Sequence, residues 1–212
     1  MESHELVLLF AYGSLVFELV VLPIPSEAST YQLFLRDPPR DPEQDRLSRA
    51  RLRRRRWKVV RYFLPTSLGI ALFLIPLVLL WLPDWHAALW PIRAMETTSI
   101  SAAGMALVLL GRAVTFGATL QLRRAKRRSA GLAAHGFFRH SRNPGLVGMY
   151  LFYLGCVLIY PSWLLLGGFL PYALNMHRRV LMEESHLSCS LGATYATYRG
   201  RVPRYLPLGP LR

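Results

Sequence analysis

The residues best suited to chemistry lie in the last third of the chain, around two adjacent glutamates. Glu183 and Glu184 follow Arg179 closely, and the four-residue separation of Arg179 and Glu183 places both on one face of a helix. Such a pair is usually a solvated helix pair. At the boundary between membrane and water, however, it could hold a zwitterionic group while an apolar ligand enters from the lipid. This pair is therefore the first candidate site.

A second polar segment precedes this pair in the chain. Residues 142–145 read Arg-Asn-Pro-Gly, a turn that starts a helix with proline at its first position. An apolar hairpin interrupted by Pro161 follows and returns the chain to the same face of the membrane. We therefore expect the turn to lie near Arg179 and Glu183.

Five apolar segments must position these groups. They are residues 6–22, 63–82, 99–120, 145–160 and 162–175. A membrane span needs about 20 mostly apolar residues, and open sheet edges do not occur in lipid. The sequence therefore predicts an all-α, polytopic membrane helix bundle of about five transmembrane helices. The first segment lacks the basic flank of a signal peptide and is interpreted as a retained helix.

The distribution of basic residues predicts the orientation of the bundle. The chain has 26 Lys and Arg against 12 Asp and Glu, a net charge of +14. The basic residues concentrate in the loop 36–61, in residues 123–142 and in the tail 178–212, which five spans would place on one side. Because Lys and Arg are retained on the cytoplasmic side, the N-terminus is predicted outside and the C-terminus in the cytoplasm. Four tryptophans then fall near the outer interface, where amphipathic rings are favoured: Trp81, Trp85, Trp90 and Trp163.

The same basic residues predict the partners of the protein. Four consecutive arginines at residues 53–56 adjoin the second span, where they would attract anionic lipid headgroups. Residues 45–62 could form a helix on the membrane surface, although topology alone would also explain the arginines. We expect the lipid bilayer and anionic headgroups as partners, and no nucleic acid.

Two charged residues fall inside predicted spans, Glu18 in the first and Arg112 in the third. An ionised group at that depth is unfavourable unless it is paired or near water, so each is a functional candidate. The alternative is a structural ion pair or snorkelling to the nearer surface. The spacing of Cys156 and Cys189 predicts two unpaired thiols and no metal site.

The order of the polar segments resembles that of the isoprenylcysteine carboxyl methyltransferase family and, more loosely, that of the phospholipid methyltransferases. The resemblance covers roughly residues 112–207. It depends on Arg-x-x-x-Glu-Glu-x-x-Leu at residues 179–187, and on Gly-x-x-Tyr-x-x-Tyr-x-x-Arg-Val-Pro-x-x-Leu-Pro at residues 192–207. These two motifs together are fairly specific, whereas the Arg-x-Pro turn at residues 142–144 is a weak signal by itself.

The resemblance implies an enzyme, an S-adenosylmethionine-dependent methyltransferase whose cofactor is bound from the cytoplasmic side. It implies that Glu183 and Arg179 are the catalytic residues, with Glu183 at the cofactor and Arg179 at the anionic group of the acceptor. Asn143 stands where the family has histidine, and Leu146 and Phe138 stand where it has tyrosine. The cofactor-binding residues matched by position are Leu132, Ala133, Phe138, Arg142, Asn143, Pro144, Gly145, Leu146, Glu183 and Glu184.

The predicted organisation has two parts. Residues 1–111 form N-terminal transmembrane helices with the basic cytoplasmic loop 36–61, and residues 112–212 form a methyltransferase-like core with the hairpin and a cytoplasmic tail. The predicted reaction methylates a lipophilic acceptor, and carboxylate O-methylation of an isoprenylcysteine-like or other lipid-like molecule is favoured because a carboxylate nucleophile needs no base. Two alternatives stay open: an NADPH-dependent, sterol-reductase-like membrane enzyme, and a non-catalytic membrane protein that binds lipid or a partner.

Overall fold

The computed structural model describes residues 2–21, 67–127 and 132–206. The predicted basic loop 36–61 and the surface helix at 45–62 lie outside the described residues. Within the described ranges the regular structure is helical, and the only β-type pairing there is an isolated bridge between Pro91 and Ser162. The predicted all-α class is therefore confirmed.

Five long helices make up the described part of the chain. They are α1 (Ser3–Val21), α2 (Ser67–Leu79), α3 (Thr98–Arg127), α4 (Pro144–Ile159) and α5 (Trp163–Arg201). Two short 3-10 helices, Pro83–Leu89 and Arg93–Met95, connect α2 to α3, and a single helical turn, Phe137–His140, precedes α4. Each long helix overlaps one of the predicted apolar segments, although α5 continues to Arg201, well beyond the predicted end at residue 175. Pro161 separates α4 from α5 as the hairpin prediction requires.

The helices differ in their capacity to cross a membrane. Among the described residues, one helix, Thr98–Ala125, is long and apolar enough to do so. Helix α4 has 16 residues, which at 1.5 Å per residue gives about 24 Å, short of the roughly 30 Å hydrocarbon core. Five crossings and the orientation of the bundle therefore stay predictions.

Successive helices run in alternating directions, so the bundle has two distinct ends. The rings of His4 and Tyr160, 5.7 Å apart, bring the start of α1 beside the end of α4. At the other end, Glu18 of α1 meets Thr119 of α3 through a side-chain hydrogen bond. We call the first the hairpin end (residues 2–4, 82–97 and 159–163) and the second the tail end (residues 132–144 and 175–206).

The four tryptophans predicted for one interface do share one end. Trp81, Trp85 and Trp90 belong to the connection between α2 and α3, and Trp163 begins α5 at the hairpin end. The Trp163 amide donates to the Trp90 carbonyl at 3.0 Å. All four rings are largely exposed, an arrangement typical of aromatic residues at a membrane–water interface.

Helices α3 and α4 pack through paired glycines. Gly111 faces Gly148, and Gly104 faces Gly155 two turns away. A Cβ atom at Gly111 would lie 2.5 Å from the Gly148 carbonyl oxygen, and one at Gly155 would lie 2.6 Å from that of Gly104. Close backbone contact through small residues is typical of helix pairs in membranes. This glycine seam fixes α4, and therefore also the turn that precedes it.

An aromatic core joins α5 to the rest of the bundle. The Tyr12 hydroxyl of α1 donates to the Phe73 carbonyl of α2 at 2.6 Å, and the Phe73 and Phe152 rings are 5.0 Å apart. Tyr153 of α4 stacks on Tyr172 of α5 with 5.0 Å between ring centroids. The Phe73 ring also stacks on Tyr172, with 6.1 Å between ring centroids. These contacts hold α5 against α2 and α4.

The two charged residues inside predicted spans form one buried ion pair. Arg112 Nη2 lies 2.9 Å from Glu18 Oε2, and Arg112 Nε donates to Ser14 Oγ at 3.0 Å. Thr119 donates its hydroxyl hydrogen to the other Glu18 oxygen. Both charged side chains are more than nine-tenths buried. The structure thus matches the ion-pair interpretation, and the pair ties α1 to α3.

Candidate active site

A glycine kink turns the end of α5 back towards the start of α4. Gly192 has φ 50° and ψ −124°, a conformation that glycine adopts without steric cost. After the kink, Tyr195 and Tyr198 are buried, and the Tyr198 hydroxyl donates to the Phe138 carbonyl at 2.8 Å. Burial raises the pKa of Tyr198 to about 12, so this phenol keeps its proton and remains a donor at neutral pH.

Hydrogen bonds to two backbone carbonyls of the tail attach it to the turn before α4. The Arg142 amide donates to the Pro203 carbonyl at 2.9 Å. Asn143 Nδ2 and Ser141 Oγ both donate to the Arg204 carbonyl, at 3.2 and 3.3 Å. Asn143 therefore uses its side-chain amide to hold the tail.

Glu184 joins three segments through one buried carboxylate. Arg204 donates from Nε to both carboxylate oxygens, at 3.1 and 3.2 Å, and from Nη2 to Oε2 at 2.9 Å. Arg142 Nη1 lies 3.3 Å from Oε1. The hydrogen bonds from Arg204 to Glu184 raise the pKa of the Arg204 guanidinium. We call these three residues the Glu184 clamp, and it brings α5, the turn and the tail together.

The neighbouring pair, Arg179 and Glu183, has a different environment. Arg179 Nε lies 3.9 Å from Glu183 Oε1, as the four-residue spacing predicts, and the two side chains are 43% and 45% exposed. Both charged groups are therefore accessible to a ligand from solvent. The pair lies on α5 directly before the clamp, at the tail end.

The remaining predicted residues surround the first turn of α4. Pro144 begins the helix and is buried, while Leu146 and Phe138 are half-buried. A Cβ atom at Gly145 would meet no atom within 4 Å, so open space borders the backbone there. Leu132 and Ala133 lie half-buried in the non-helical segment that leads to the turn.

Sequence reasoning missed several residues that build this region. Arg204 makes the closest contacts of the clamp, yet it occupies a variable position of the tail motif, so no spacing marked it. His177 Nδ1 lies 2.6 Å from the Tyr205 hydroxyl, which attaches the tail to α5 a second time. The Arg-Val-Pro sequence before Arg204 was the available signal that the tail matters.

Two surface cavities lie away from these residues. One, of about 720 Å³, is at the hairpin end beside His4, His86 and Tyr160. The other, of about 510 Å³, lies beside the kink at Gly192. Neither is lined by the Arg179–Glu183 pair or by the turn. The candidate residues at the start of α4 and on α5 therefore lie outside both of these cavities.

Comparison with known proteins identifies the central part of the chain. Residues 99–194 match the family model described as phospholipid methyltransferase, and this family includes the isoprenylcysteine carboxyl methyltransferases. The resemblance inferred from the motifs is therefore confirmed. Neither the curated proteins nor the solved structures contain a significant match to this chain. The matched segment spans α3, α4 and α5 as far as the kink, and it is similar to the phospholipid methyltransferases, a family of membrane-associated methyltransferases.

Proposed function

We propose that this protein transfers a methyl group from S-adenosylmethionine to a lipophilic acceptor, at the cytoplasmic face of a multi-pass membrane bundle. The preferred acceptor group is the carboxylate of an isoprenylcysteine-like or other lipid-like molecule. The observation that carries the proposal is the 3.3 Å contact between Arg142 and Glu184. It links the turn before α4 to α5 at the residue that follows Glu183, within the family segment.

The residues at this place fit the cofactor. Glu183 offers an accessible carboxylate to a ligand that carries a positive charge and hydroxyl groups. The open space at Gly145 allows a nucleoside to approach the backbone. Arg142 Nε is buried and has no hydrogen-bond partner among the described residues, so a donor is available there. When bound, S-adenosylmethionine supplies a methyl group already activated on a sulfonium sulfur.

With an activated methyl donor, the protein mainly needs to orient two reactants and to exclude water. Arg179 would bind the acceptor carboxylate through a charge-assisted contact. A carboxylate attacks without losing a proton, so no general base is required. The Glu184 clamp would hold the turn and α5 at a fixed separation, which makes Glu184 a positioning residue and Glu183 the ligand-binding glutamate.

The family match favours methyl transfer over the NADPH-dependent alternative. A non-catalytic role is the remaining competitor, and the substitutions at Asn143 and Leu146 are the features that favour it. Both residues are half-buried beside the turn, and neither side chain supplies a hydroxyl.

The direct test is methyl transfer by purified protein in lipid nanodiscs. The protein is incubated with methyl-tritiated S-adenosylmethionine and fractionated membrane lipids, and the labelled product is treated with alkali. A carboxyl methyl ester releases volatile methanol under these conditions, whereas N-methyl and S-methyl products retain the label. We expect volatile label, a strong reduction in Arg179→Ala, and wild-type transfer in the control Arg178→Ala. Absence of transfer to every fraction would contradict the proposal.

A further inference from the structure

A line of polar side chains runs along α5 from the exposed charged pair into the bundle. Tyr172, Asn175, Arg179 and Glu183 are separated by three, four and four residues, a spacing that places them on one stripe of a helix. Arg179 and Glu183 are half exposed, whereas Tyr172 and Asn175 are only 3% and 6% exposed. The stripe therefore connects the candidate site to the α2–α5 contact.

The two buried members of the stripe have polar atoms without partners. Within the described part of the chain, neither the Tyr172 hydroxyl nor Asn175 Nδ2 makes a hydrogen bond. Other buried hydroxyls of the core are paired: Tyr12 donates to Phe73 at 2.6 Å, and Tyr153 donates to the Leu165 carbonyl at 3.0 Å. Because buried polar groups in native proteins are generally paired, two adjacent exceptions on one stripe indicate a missing partner.

The surroundings of these atoms suit an apolar molecule with a polar group. Gly69 of α2 faces them, and a Cβ atom there would lie 3.6 Å from Tyr172 Cδ2 and 3.7 Å from Asn175 Nδ2. The glycine thus leaves a space about one methyl group wide. Leu68 and Leu174, next to Gly69 and Asn175 in the chain, are exposed, so apolar surface flanks the contact on both helices.

We propose that Asn175 and Tyr172 form a second subsite, which binds a carbonyl oxygen of the acceptor while Arg179 binds its anionic group. This inference builds on the proposed function, since one molecule occupies both subsites. Four residues of helix separate Asn175 from Arg179 by about 6 Å along the axis. That separation suits an acceptor whose carbonyl lies a few bonds from its carboxylate and whose hydrocarbon chain continues along α2 and α5. Long-chain N-acyl amino acids have this chemistry.

Two probes isolate the carbonyl. N-dodecanoylglycine and pentadecanoic acid have the same charge and the same number of chain atoms, and differ in the amide. Equilibrium binding of each tritiated probe is measured on the protein in nanodiscs, with binding to empty nanodiscs subtracted. We expect the wild type to bind N-dodecanoylglycine about fivefold or more tightly, a factor that one neutral hydrogen bond supplies. Asn175→Leu and Tyr172→Phe should each reduce this preference.

Thermal stability separates a binding role from a structural one. Asn175→Leu removes a buried amide whose Nδ2 lacks a partner among the described residues, so the ligand-free variant should keep or exceed the wild-type Tm. The matched control is Tyr153→Phe, which removes a buried hydroxyl that does have a partner. It should lower the Tm and leave the probe preference unchanged.

The inference is overturned if Asn175→Leu and Tyr172→Phe both keep the wild-type ratio of affinities, or if the wild type shows no preference. The readout is binding, so it does not depend on turnover. A preference that Asn175→Leu abolishes would support the subsite even where no methyl transfer is seen, and that combination would count against the proposed function alone.

Discussion

Two adjacent glutamates on α5 have opposite environments, and the difference suggests a structural role for Glu184 and a ligand-binding role for Glu183. Glu184 is buried and bound by Arg204 and Arg142, whereas Glu183 is half exposed and has Arg179 at 3.9 Å. The Glu18–Arg112 pair within the bundle resembles Glu184, since it too is buried and joins separate helices. Buried carboxylates here hold segments together, whereas the Glu183 carboxylate is accessible to solvent.

Solvation explains why the two environments should respond differently to mutation. Removing one partner of a buried ion pair leaves an uncompensated charge and costs about 3–5 kcal/mol. An exposed pair is screened by water and contributes only about 0–1 kcal/mol. The comparison therefore predicts a large loss of stability when Glu184 is replaced and a small loss when Glu183 is replaced.

The largest expected effect is that of Glu184→Ala. The variant leaves the Arg142 and Arg204 guanidiniums without their carboxylate, and we expect a loss of about 3–5 kcal/mol in unfolding free energy. Denaturant unfolding followed by circular dichroism in detergent measures this loss. Glu183→Ala is the matched control and should lose less than about 1 kcal/mol. Equal losses in the two variants would remove the distinction between the glutamates.

The next largest loss of stability is expected when the packing that fixes the turn is disturbed without a change of charge. Gly111→Ala places a Cβ atom 2.5 Å from the Gly148 carbonyl oxygen, so α3 and α4 must separate at a cost of about 1–3 kcal/mol. Gly13→Ala is the control, because a Cβ there meets no atom within 4 Å. Alanine's helix propensity should make it neutral or stabilising by up to about 1 kcal/mol. A stable Gly111→Ala protein would show that the glycine seam is not closely packed.

A smaller effect is expected for Tyr198→Phe, which removes the hydrogen bond to the Phe138 carbonyl and should cost about 1 kcal/mol. The pKa of Tyr198 is raised from 10.0 to about 12, so the folded protein retains this proton more strongly than the unfolded chain. The corresponding stability is present below pH 10 and is lost as the pH rises towards 12. Unfolding measured at pH 8 to 12 should show a steeper alkaline loss in the wild type than in Tyr198→Phe. Parallel curves would exclude this residue as the source.

The smallest effect on stability is expected for Arg179→Ala, within about 0.5 kcal/mol, since the side chain is half exposed. Methyl transfer, in contrast, should be strongly reduced in this variant. Loss of the guanidinium should raise the KM for the acceptor more than it weakens binding of S-adenosylmethionine. Initial rates of methyl transfer at varied acceptor concentration provide the measurement. A variant that loses cofactor affinity instead would place Arg179 at the cofactor.

The sequence predicted the elements of this structure better than their contacts. Apolar segments located the five helices, Pro161 located the hairpin, and the Arg179–Glu183 spacing located the exposed pair. The contacts of Arg204 were not predictable, because the tail returns to the turn only through the kink at Gly192. Nor could periodicity decide which of two adjacent glutamates faces the bundle, since that depends on the packing of α5 against its neighbours.

The most direct test of the division between Glu183 and Glu184 is isothermal titration of S-adenosylmethionine into wild-type protein and Glu183→Gln, with the Tm of each recorded beforehand. If Glu183 contacts the cofactor and contributes little to the fold, the variant will lose measurable cofactor binding while keeping the wild-type Tm. An unchanged affinity for S-adenosylmethionine in Glu183→Gln would contradict this account.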